Sequence, residues 1–329
     1  MKGVKGIGKG RFNRPRLNCN VEEILSFEPG KGEMLVEMVY APVNPADFYI
    51  FRNVYRDTKP LGSVYGLEGM GRVIDTGSSE DSDMVGKLVN CLFSGSAHGS
   101  FSSHSIVKKE MAFPLDSRYS DKEQTNPFLI NPLTAIGLVS KANEFGTESV
   151  LQIGASTSVG RIVADLCKER FKLINIVRDK RNIDSPVFAN STKTISSENE
   201  SFNKEIVELI KEHEPGVVFD CIGGELTGLI FNSLPEHSKH IIYGALAMEK
   251  ISHIDPSDLI FSNKTIQGFH LFRHFLNTRK LHEYTSELES INSNAKLLLD
   301  KAKYISMDSF NQELADYRNK RERLIFKFK

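Results

Sequence analysis

The hydrophobic pattern of the first third of the chain is typical of a compact β-rich domain. Short apolar segments, separated by Gly, Pro and Ser, predict strands at residues 34–40, 71–75, 87–93 and 104–107. Between the first two, Asn44-Pro45-Ala46-Asp47 predicts the start of a helix. Asn is a favoured N-cap, Pro is tolerated at the first helical position, and an acid in the first turn complements the helix dipole.

From about residue 116 the pattern changes to strands that alternate with helices. Strands are predicted at 150–153, 172–177, 217–221, 240–243 and 265–269, and helices at about 160–170, 202–213 and 226–233. This alternation predicts an α/β fold with a doubly wound parallel sheet. Residues 182–201 are polar and poor in apolar positions, so we expect a loop there.

The length of the chain favours two domains, since 329 residues can bury a large core. The tail ends in the strand-like sequence LIFKFK at 324–329, which can return to the first domain and complete it. We therefore expect a β-rich substrate domain from residues 1–115 and 275–329. Residues 116–274 are expected to form a Rossmann dinucleotide-binding domain.

The segment 150–182 carries the main functional signal. Its first predicted strand enters a turn of Gly, Ala, Ser and Thr, and this turn opens a helix. Such a turn lets the backbone approach a pyrophosphate at a helix N-terminus, where free N–H groups and the helix dipole favour anions. Glycine turns after strands are common in α/β proteins, and Ser156 and Ser158 stand where glycines often sit. The predicted cofactor contacts of the turn are Ser156, Thr157, Ser158, Val159 and Gly160.

The residues after the second strand of this segment indicate which dinucleotide is bound. An NAD-binding unit carries an acid there, which holds the ribose 2′-hydroxyl. This chain has Arg178 instead, with Lys180 and Arg181 close behind. Three cations suit a 2′-phosphate, so the sequence predicts NADPH as the cofactor.

Two later strands also exit into glycine-containing turns, at residues 220–224 and 243–245. Ligands bind at the carboxyl edge of a doubly wound sheet, where these turns are expected to lie. Tyr243 and Gly244 are therefore predicted to contact the cofactor as well.

Composition excludes several other classes of function. Lys+Arg and Asp+Glu both total 42, so the zero net charge gives no indication of a nucleic-acid partner. No apolar run approaches the roughly 18 residues of a membrane span, which predicts no transmembrane segment. The four cysteines are scattered and indicate reduced thiols rather than a disulfide framework. Cys91, His98 and His104 match no common metal-site spacing, so no metal is predicted.

The beginning of the chain has two interpretations. Its first twenty residues contain six Lys or Arg and no acid, a bias found in mitochondrial targeting segments. Residues 2–7 fit the first strand of the fold equally well. We expect a mitochondrial location, with the cytoplasm as the alternative.

Several motifs occur in an order that resembles one known family. They are VNPAD at 43–47, GLEGMGRV at 66–73, NPLTA at 131–135, GASTSVG at 154–160, INIVRDK at 174–180, CIGG at 221–224 and IIYGALA at 241–247. Together they resemble the medium-chain dehydrogenase/reductase superfamily. Within it, the chain is most similar to the zinc-independent branch of mitochondrial 2-enoyl thioester reductases and quinone oxidoreductase-like proteins. The resemblance implies a GroES-like β-rich domain beside the Rossmann domain.

The zinc-independent branch fits the residues. Zinc alcohol dehydrogenases of this superfamily carry a Gly-His-Glu motif, and here the triplet is Gly66-Leu67-Glu68. Their structural zinc lobe needs four closely spaced cysteines, which this sequence lacks.

The resemblance implies NADPH-dependent reduction of an activated C=C bond, with a 2-enoyl thioester as the leading substrate and an enone or quinone next. Hydride would go to the β-carbon and a proton to the α-carbon, with Tyr55 as the catalytic acid. Asn44 and Thr134 would contact the cofactor, although Thr134 also fits an ordinary helix cap. A homodimer through the strand at 265–269 is implied too.

The sequence departs from this family near the substrate and on the adenine side of the cofactor. It contains no Trp, and His270 stands where the family places one. The helical segment expected after Arg181 is shortened. An alternative is therefore a non-catalytic relative that serves as a structural subunit of a larger, mitochondrial assembly.

Overall fold

A computed structural model describes residues 2–6, 19–23, 28–51, 63–94, 96–115, 129–278, 302–310, 312–313 and 323–328. The chain divides into two compact units, Met1–Leu129 with Ala295–Lys329, and Ile130–Asn294. The strands are β1 Lys2–Gly6, β2 Cys19–Glu23, β3 Glu33–Pro42, β4 Glu68–Thr76, β5 Leu88–Leu92, β6 His104–Lys108, β7 Ala112–Pro114, β8 Ser149–Ile153, β9 Lys172–Val177, β10 Lys193–Ser196, β11 Val217–Asp220, β12 Lys239–Ile242, β13 Thr265–Gly268, β14 Ala302–Ile305 and β15 Arg323–Lys327. The helices are α1 Pro45–Phe51, α2 Ile130–Phe145, α3 Ser158–Cys167, α4 Phe202–His213, α5 Glu225–Ser233, α6 Pro256–Ile260 and α7 Leu271–Thr278.

The first unit is β-rich, and its main sheet has the order β14-β15-β3-β4-β5-β7, with β6 also paired to β3. Strand β15, near the end of the chain, pairs antiparallel with β3. Its Phe326 is fully buried, with ring centroids 4.8 Å from Phe101 and 5.1 Å from Phe310. The tail therefore supplies both a strand and a core aromatic residue to this unit. Residues 2–6, for which the sequence allowed either a targeting segment or a strand, form β1, which pairs with β2.

The second unit is a six-stranded parallel sheet with the order β10-β9-β8-β11-β12-β13. From β8 the chain fills one half of the sheet outwards to β10. It then crosses to β11 and fills the other half outwards to β13, so the strand order reverses between β8 and β11. The predicted α/β fold with a doubly wound parallel sheet is confirmed. Apolar residues from both sheet and helices build one core cluster, which includes Ile174 and Ile176 of β9 and Ile206 and Ile210 of α4.

Two local predictions need correction. The polar segment 182–201, expected to be a loop, contains strand β10 paired in parallel with β9. Only a short stretch there is apolar on the inward side, where Ile195 is buried, so the hydrophobic signal was weak. Helix α3 ends at Cys167, about three residues earlier than predicted.

The unit boundaries of the structure differ from the expected division. Helix α7 lies in the second unit and packs against α2, whereas a boundary at 274/275 would cut through α7. Among the helices of the described ranges, none has the length and apolar character needed to cross a membrane.

Candidate functional site

The carboxyl ends of β8, β11 and β12 lead into three turns that touch one another. After β11, the thiol of Cys221 donates to the carbonyl of Ile153 at the end of β8, with Sγ and O 3.3 Å apart. After β12, the N–H of Leu246 donates to the Cys221 carbonyl at 3.0 Å, and that of Ala247 to the Ile222 carbonyl at 2.9 Å. The turn at 221–224 is therefore the middle part of one connected edge.

Two glycines are required by their surroundings, Gly154 in the turn after β8 and Gly160 in the first turn of α3. Gly154 has φ of 83°, and a Cβ there would lie 2.5 Å from Cys221 Sγ. A Cβ at Gly160 would lie 2.5 Å from the carbonyl oxygen of Ala155, so its absence lets α3 pack closely on the turn. Ser156 and Ser158 are not among the residues with positive φ. The serines thus occupy positions where glycine's conformational freedom is not needed.

The N-terminus of α3 presents unused backbone donors at this edge. Thr157 is the N-cap, and its Oγ1 accepts from the N–H of Gly160 at 3.2 Å. Its own N–H donates to the Gly154 carbonyl at 3.0 Å. Within the described part of the chain, no acceptor is assigned to the N–H groups of Ser156, Ser158 and Val159. Such donors, together with the helix dipole, form an anion-binding site.

All three cations of the basic cluster beyond β9 are exposed, and one of them, Arg181, is paired. The guanidinium of Arg181 binds the Asp179 carboxylate, with Nε 3.0 Å from Oδ1 and 2.9 Å from Oδ2. Arg178 and Lys180 are exposed, and no ion pair is assigned to either within the described ranges. The Arg178 carbonyl accepts a hydrogen bond from the Ser196 hydroxyl, so β10 fixes the backbone at this point. Arg178 and Lys180 are therefore the cations best placed for a phosphate.

The segment after this cluster contains short 3₁₀ turns, at Lys180–Asn182 and Pro186–Phe188, before β10 begins. Phe188 is buried and anchors the second turn. The helical segment after Arg181 is thus short, as the sequence indicates. The connection is still long enough for β10 to reach the sheet edge and pair with β9.

A buried polar cluster supports the middle turn. The Asp220 carboxylate, at the end of β11, accepts from the N–H groups of Ile222 at 2.7 Å and Gly223 at 3.0 Å. Its other oxygen accepts from Thr227 Oγ1 at 2.6 Å and lies 3.0 Å from His240 Nε2. Burial raises the pKa of Asp220, but the hydrogen bonds from His240, Thr227 and Gly223 outweigh it, and the pKa lies below its ordinary value. The carboxylate is therefore ionised at neutral pH.

Tyr243 and Cys221 lie together near the turn at residues 154–157 that joins β8 to α3, named the dinucleotide turn for the motif that it resembles. Burial, with the neighbouring Cys221, raises the pKa of Tyr243 well above its ordinary value. The Tyr243 hydroxyl is buried and forms no hydrogen bond of good geometry with a described group. Burial also raises the pKa of Cys221 to about 12, so this thiol is protonated and unreactive at neutral pH. Tyr243 and Cys221 are therefore both uncharged at this edge. Gly244 lies so close to the Cys221 carbonyl that a side chain at position 244 would clash with it.

The remaining predicted site residues lie elsewhere or outside the described residues. Asn44 is in the first unit, where its Nδ2 donates to the buried Glu68 carboxylate at 2.7 Å. Thr134 is buried in the second unit. It is the fifth residue of α2, so the cap interpretation is wrong. Tyr55 lies outside the described residues.

Sequence reasoning missed Asp220 and His240 as parts of the site. An acid that ends an apolar strand immediately before a glycine pair was a usable signal for Asp220. His240 gave none, because its partner is twenty residues away in sequence. Over the described residues, no group of three or more His, Cys, Asp or Glu is arranged to hold a metal ion.

Comparison with known proteins links both units to oxidoreductases. The alcohol dehydrogenase GroES-like domain family matches residues 30–117. The mitochondrial enoyl-[acyl-carrier-protein] reductase of Arabidopsis thaliana is 28% identical over 250 residues, which cover 74% of this chain and 66% of the plant protein. The match thus spans slightly less than two thirds of that relative's length.

Solved structures share the fold along the whole chain. A candidate NADPH:quinone reductase of Mesorhizobium loti has a TM-score of 0.89 at 22% identity, covering 100% of this chain and 98% of the other. The mitochondrial 2-enoyl thioester reductase Etr1p/Etr2p heterodimer of Candida tropicalis has a TM-score of 0.75 at 22% identity, with 99% of each chain covered. Etr1p has also been solved with NADP and crotonyl-CoA. These likenesses show the fold of this chain.

We expect Gly154→Ala to lower the free energy of unfolding by more than the φ penalty of about 1–2 kcal/mol, because the new Cβ also meets Cys221 Sγ. Urea unfolding measures the loss. Gly146→Ala is the matched control, since Gly146 has φ of 76° with nothing near its Cβ position. In the double variant with Cys221→Ala, the cost of Gly154→Ala should fall towards that of the control. Equal losses for Gly154→Ala and Gly146→Ala would contradict the close contact.

Proposed function

We propose that this chain is an NADPH-dependent reductase of an activated C=C bond. The proposal starts from its place in the zinc-independent branch of the medium-chain dehydrogenase/reductase superfamily. The leading substrate is a 2-enoyl thioester, with an enone or quinone next. The observation that carries this proposal is the pair of phosphate-binding features at one sheet edge. They are the free N–H groups at the start of α3 and the exposed cations after β9.

The turn after β8 fits the pyrophosphate of a dinucleotide. Gly154 and Gly160 keep the backbone free of side chains where it bends, and Ser158 and Val159 direct N–H groups to the helix N-terminus. Arg178 and Lys180 supply positive charge for the 2′-phosphate that distinguishes NADPH from NADH. Tyr243 and Gly244 line the neighbouring turn.

When bound, NADPH supplies a hydride, which the β-carbon of the substrate accepts. The chain's own contribution at the α-carbon is a proton, which we assign to Tyr55 through its position after the NPAD motif. A phenol with its ordinary pKa near 10 can donate a proton to a developing enolate at neutral pH, which is the role proposed for Tyr55. Asn44 and Thr134 are assigned to cofactor contacts through the same motifs.

The names of relatives support this choice of substrate and a mitochondrial location. The Arabidopsis thaliana protein is a mitochondrial enoyl reductase, and Etr1p was solved with an enoyl thioester, crotonyl-CoA, and NADP. The Mesorhizobium loti protein gives quinone as the second substrate class. The alternative, a non-catalytic structural subunit, rests on the absence of Trp and on the shortened segment after Arg181.

We also propose that the chain forms a homodimer through the edge strand β13. Within the described residues, β13 pairs only with β12, and most of it is exposed. Three consecutive apolar side chains just before it, Leu259, Ile260 and Phe261, are exposed, the last by 81%. An open edge beside apolar side chains is suited to pairing with a second copy.

Replacing Arg178 by Ala should weaken NADPH binding by roughly 10–100-fold, the value of one or two charge-assisted hydrogen bonds to phosphate. NADH binding should be unchanged. Arg170→Ala, which removes an exposed arginine near the opposite end of β9, is the control. Arg181→Ala should have a smaller effect, because this guanidinium is paired with Asp179. Fluorescence titration measures the dissociation constants. Equal effects of Arg178→Ala and Arg170→Ala would refute the phosphate assignment.

The purified chain should oxidise NADPH in the presence of crotonyl-CoA. Tyr55→Phe should lower kcat by roughly 10²–10⁴-fold, because it removes the proton donor while leaving NADPH affinity intact. Tyr49→Phe serves as the matched control and should keep its activity. A folded chain that binds neither NADPH nor NADH would exclude the enzyme and favour the structural subunit.

Light scattering should give about twice the chain mass of 36.9 kDa. Phe261→Asp should shift the protein to the monomer, because it places a charge in an interface that excludes water. Val85→Asp changes an exposed apolar residue of the first unit and should leave the dimer intact. A monomeric wild-type chain rules out this dimer.

A further inference from the structure

The cluster of Asp220, Thr227 and His240 joins three elements at fully buried positions. Asp220 ends β11, Thr227 lies in the first turn of α5, and His240 lies in β12. Each carboxylate oxygen has two partners. One oxygen takes two backbone N–H groups, from Ile222 and Gly223, and the other faces the Thr227 hydroxyl and the imidazole.

The backbone that Asp220 holds is strained for any residue but glycine. Gly223 and Gly224 have φ of 76° and 75°, and the two follow one another. Because glycine has no side chain, the conformation of these two residues must be fixed by contacts from the rest of the protein. The two hydrogen bonds from Ile222 and Gly223 to the carboxylate therefore supply much of the constraint on this turn.

The same turn contacts both of its neighbours at the carboxyl edge. Ile222 lies against the Cβ position of Gly154 on one side, and its carbonyl accepts from Ala247 on the other. A shift of the 222–224 turn would therefore displace both the dinucleotide turn and the turn at 243–247 after β12, named the Tyr243 turn. It can do so without unfolding the sheet, because the contacts lie beyond the ends of the strands.

His240 contacts the carboxylate oxygen of Asp220 that the turn does not use. With Asp220 ionised, His240 Nε2 acts as the donor, and its Nδ1 is buried without a hydrogen-bond partner in the described part. Removing the imidazole would leave a buried carboxylate oxygen with one donor fewer, a cost that relaxation of the turn can reduce by admitting water. Among the elements that Asp220 touches, the turn is freer to relax than β11 or β12, because each of these strands is paired on both sides.

We propose that His240 is a positioning residue, which acts through Asp220 to hold the 222–224 turn where the dinucleotide turn and the Tyr243 turn meet. It thereby sets the affinity of this edge for its dinucleotide without contacting it. This inference rests on the proposed function for its ligand, NADPH, but the state of the turn can be measured without any ligand.

The test compares His240→Leu, which removes the donor, with His240→Gln, whose side-chain amide can place a donor near the position of Nε2. Val218→Ala is the control for lost stability, because Val218 is fully buried in β11 and pairs with His240 in register. We expect His240→Leu to raise the dissociation constant and the KM for NADPH by roughly tenfold, with a smaller change in kcat. His240→Gln should restore both values to within about threefold, and Val218→Ala should leave them near wild type.

Amide hydrogen exchange of residues 221–224 in the unliganded chain gives the second readout. Exchange there should be faster in His240→Leu than in Val218→Ala and close to wild type in His240→Gln. Equal exchange and equal affinity in His240→Leu and Val218→Ala would overturn the proposal. If the wild type binds no dinucleotide, the proposed function fails, and the exchange comparison alone then decides whether His240 holds the turn.

Discussion

The carboxyl edge of the second unit depends on the close approach of two strand ends. Where β8 and β11 finish, the Cys221 thiol meets the Ile153 carbonyl and fills the space that a side chain at Gly154 would need. This contact brings the dinucleotide turn against the middle turn, and the Tyr243 turn then closes on the other side. This contact between strand ends therefore sets the positions of the candidate cofactor contacts. They are residues 156–160, 243 and 244. A protonated, buried thiol suits this position because it packs as a small apolar group with one weak donor.

The sequence predicted the elements whose hydrophobic period was strong. Helix α4 and strand β9 have the predicted limits because each presents a clear apolar face or run. Strand β10 escaped because a four-residue edge strand with one fully apolar inward position has little periodic signal. The cap alternative for Thr134 is wrong because α2 begins at Ile130, ahead of the Asn-Pro pair. The pairing of Arg181 with Asp179, and that of Asp220 with His240, depend on side-chain direction and on strand order, which local pattern does not contain.

Charge along this edge is arranged by depth. The ionised Asp220 is buried and fully hydrogen-bonded, so its field is met by donors within the protein. The cations at 178 and 180 are exposed, where a ligand can reach them. Near Asp220, the buried Tyr243 phenol and Cys221 thiol are neutral, and the pKa of each is raised by burial. An anionic ligand would therefore meet the cations at the surface, while the buried Asp220 carboxylate is already compensated by its own donors.

The serines of the dinucleotide turn have a thermodynamic consequence. Ser156 and Ser158 stand where related turns use glycine, and both adopt ordinary backbone angles. A non-glycine residue at a compatible position restricts the unfolded chain and stabilises the fold by about 0.4–1 kcal/mol. The serines thus favour a turn that takes its shape when the chain folds. A ligand that binds to such a restricted loop would lose less conformational entropy, so rigidity would supply part of its affinity in place of additional contacts.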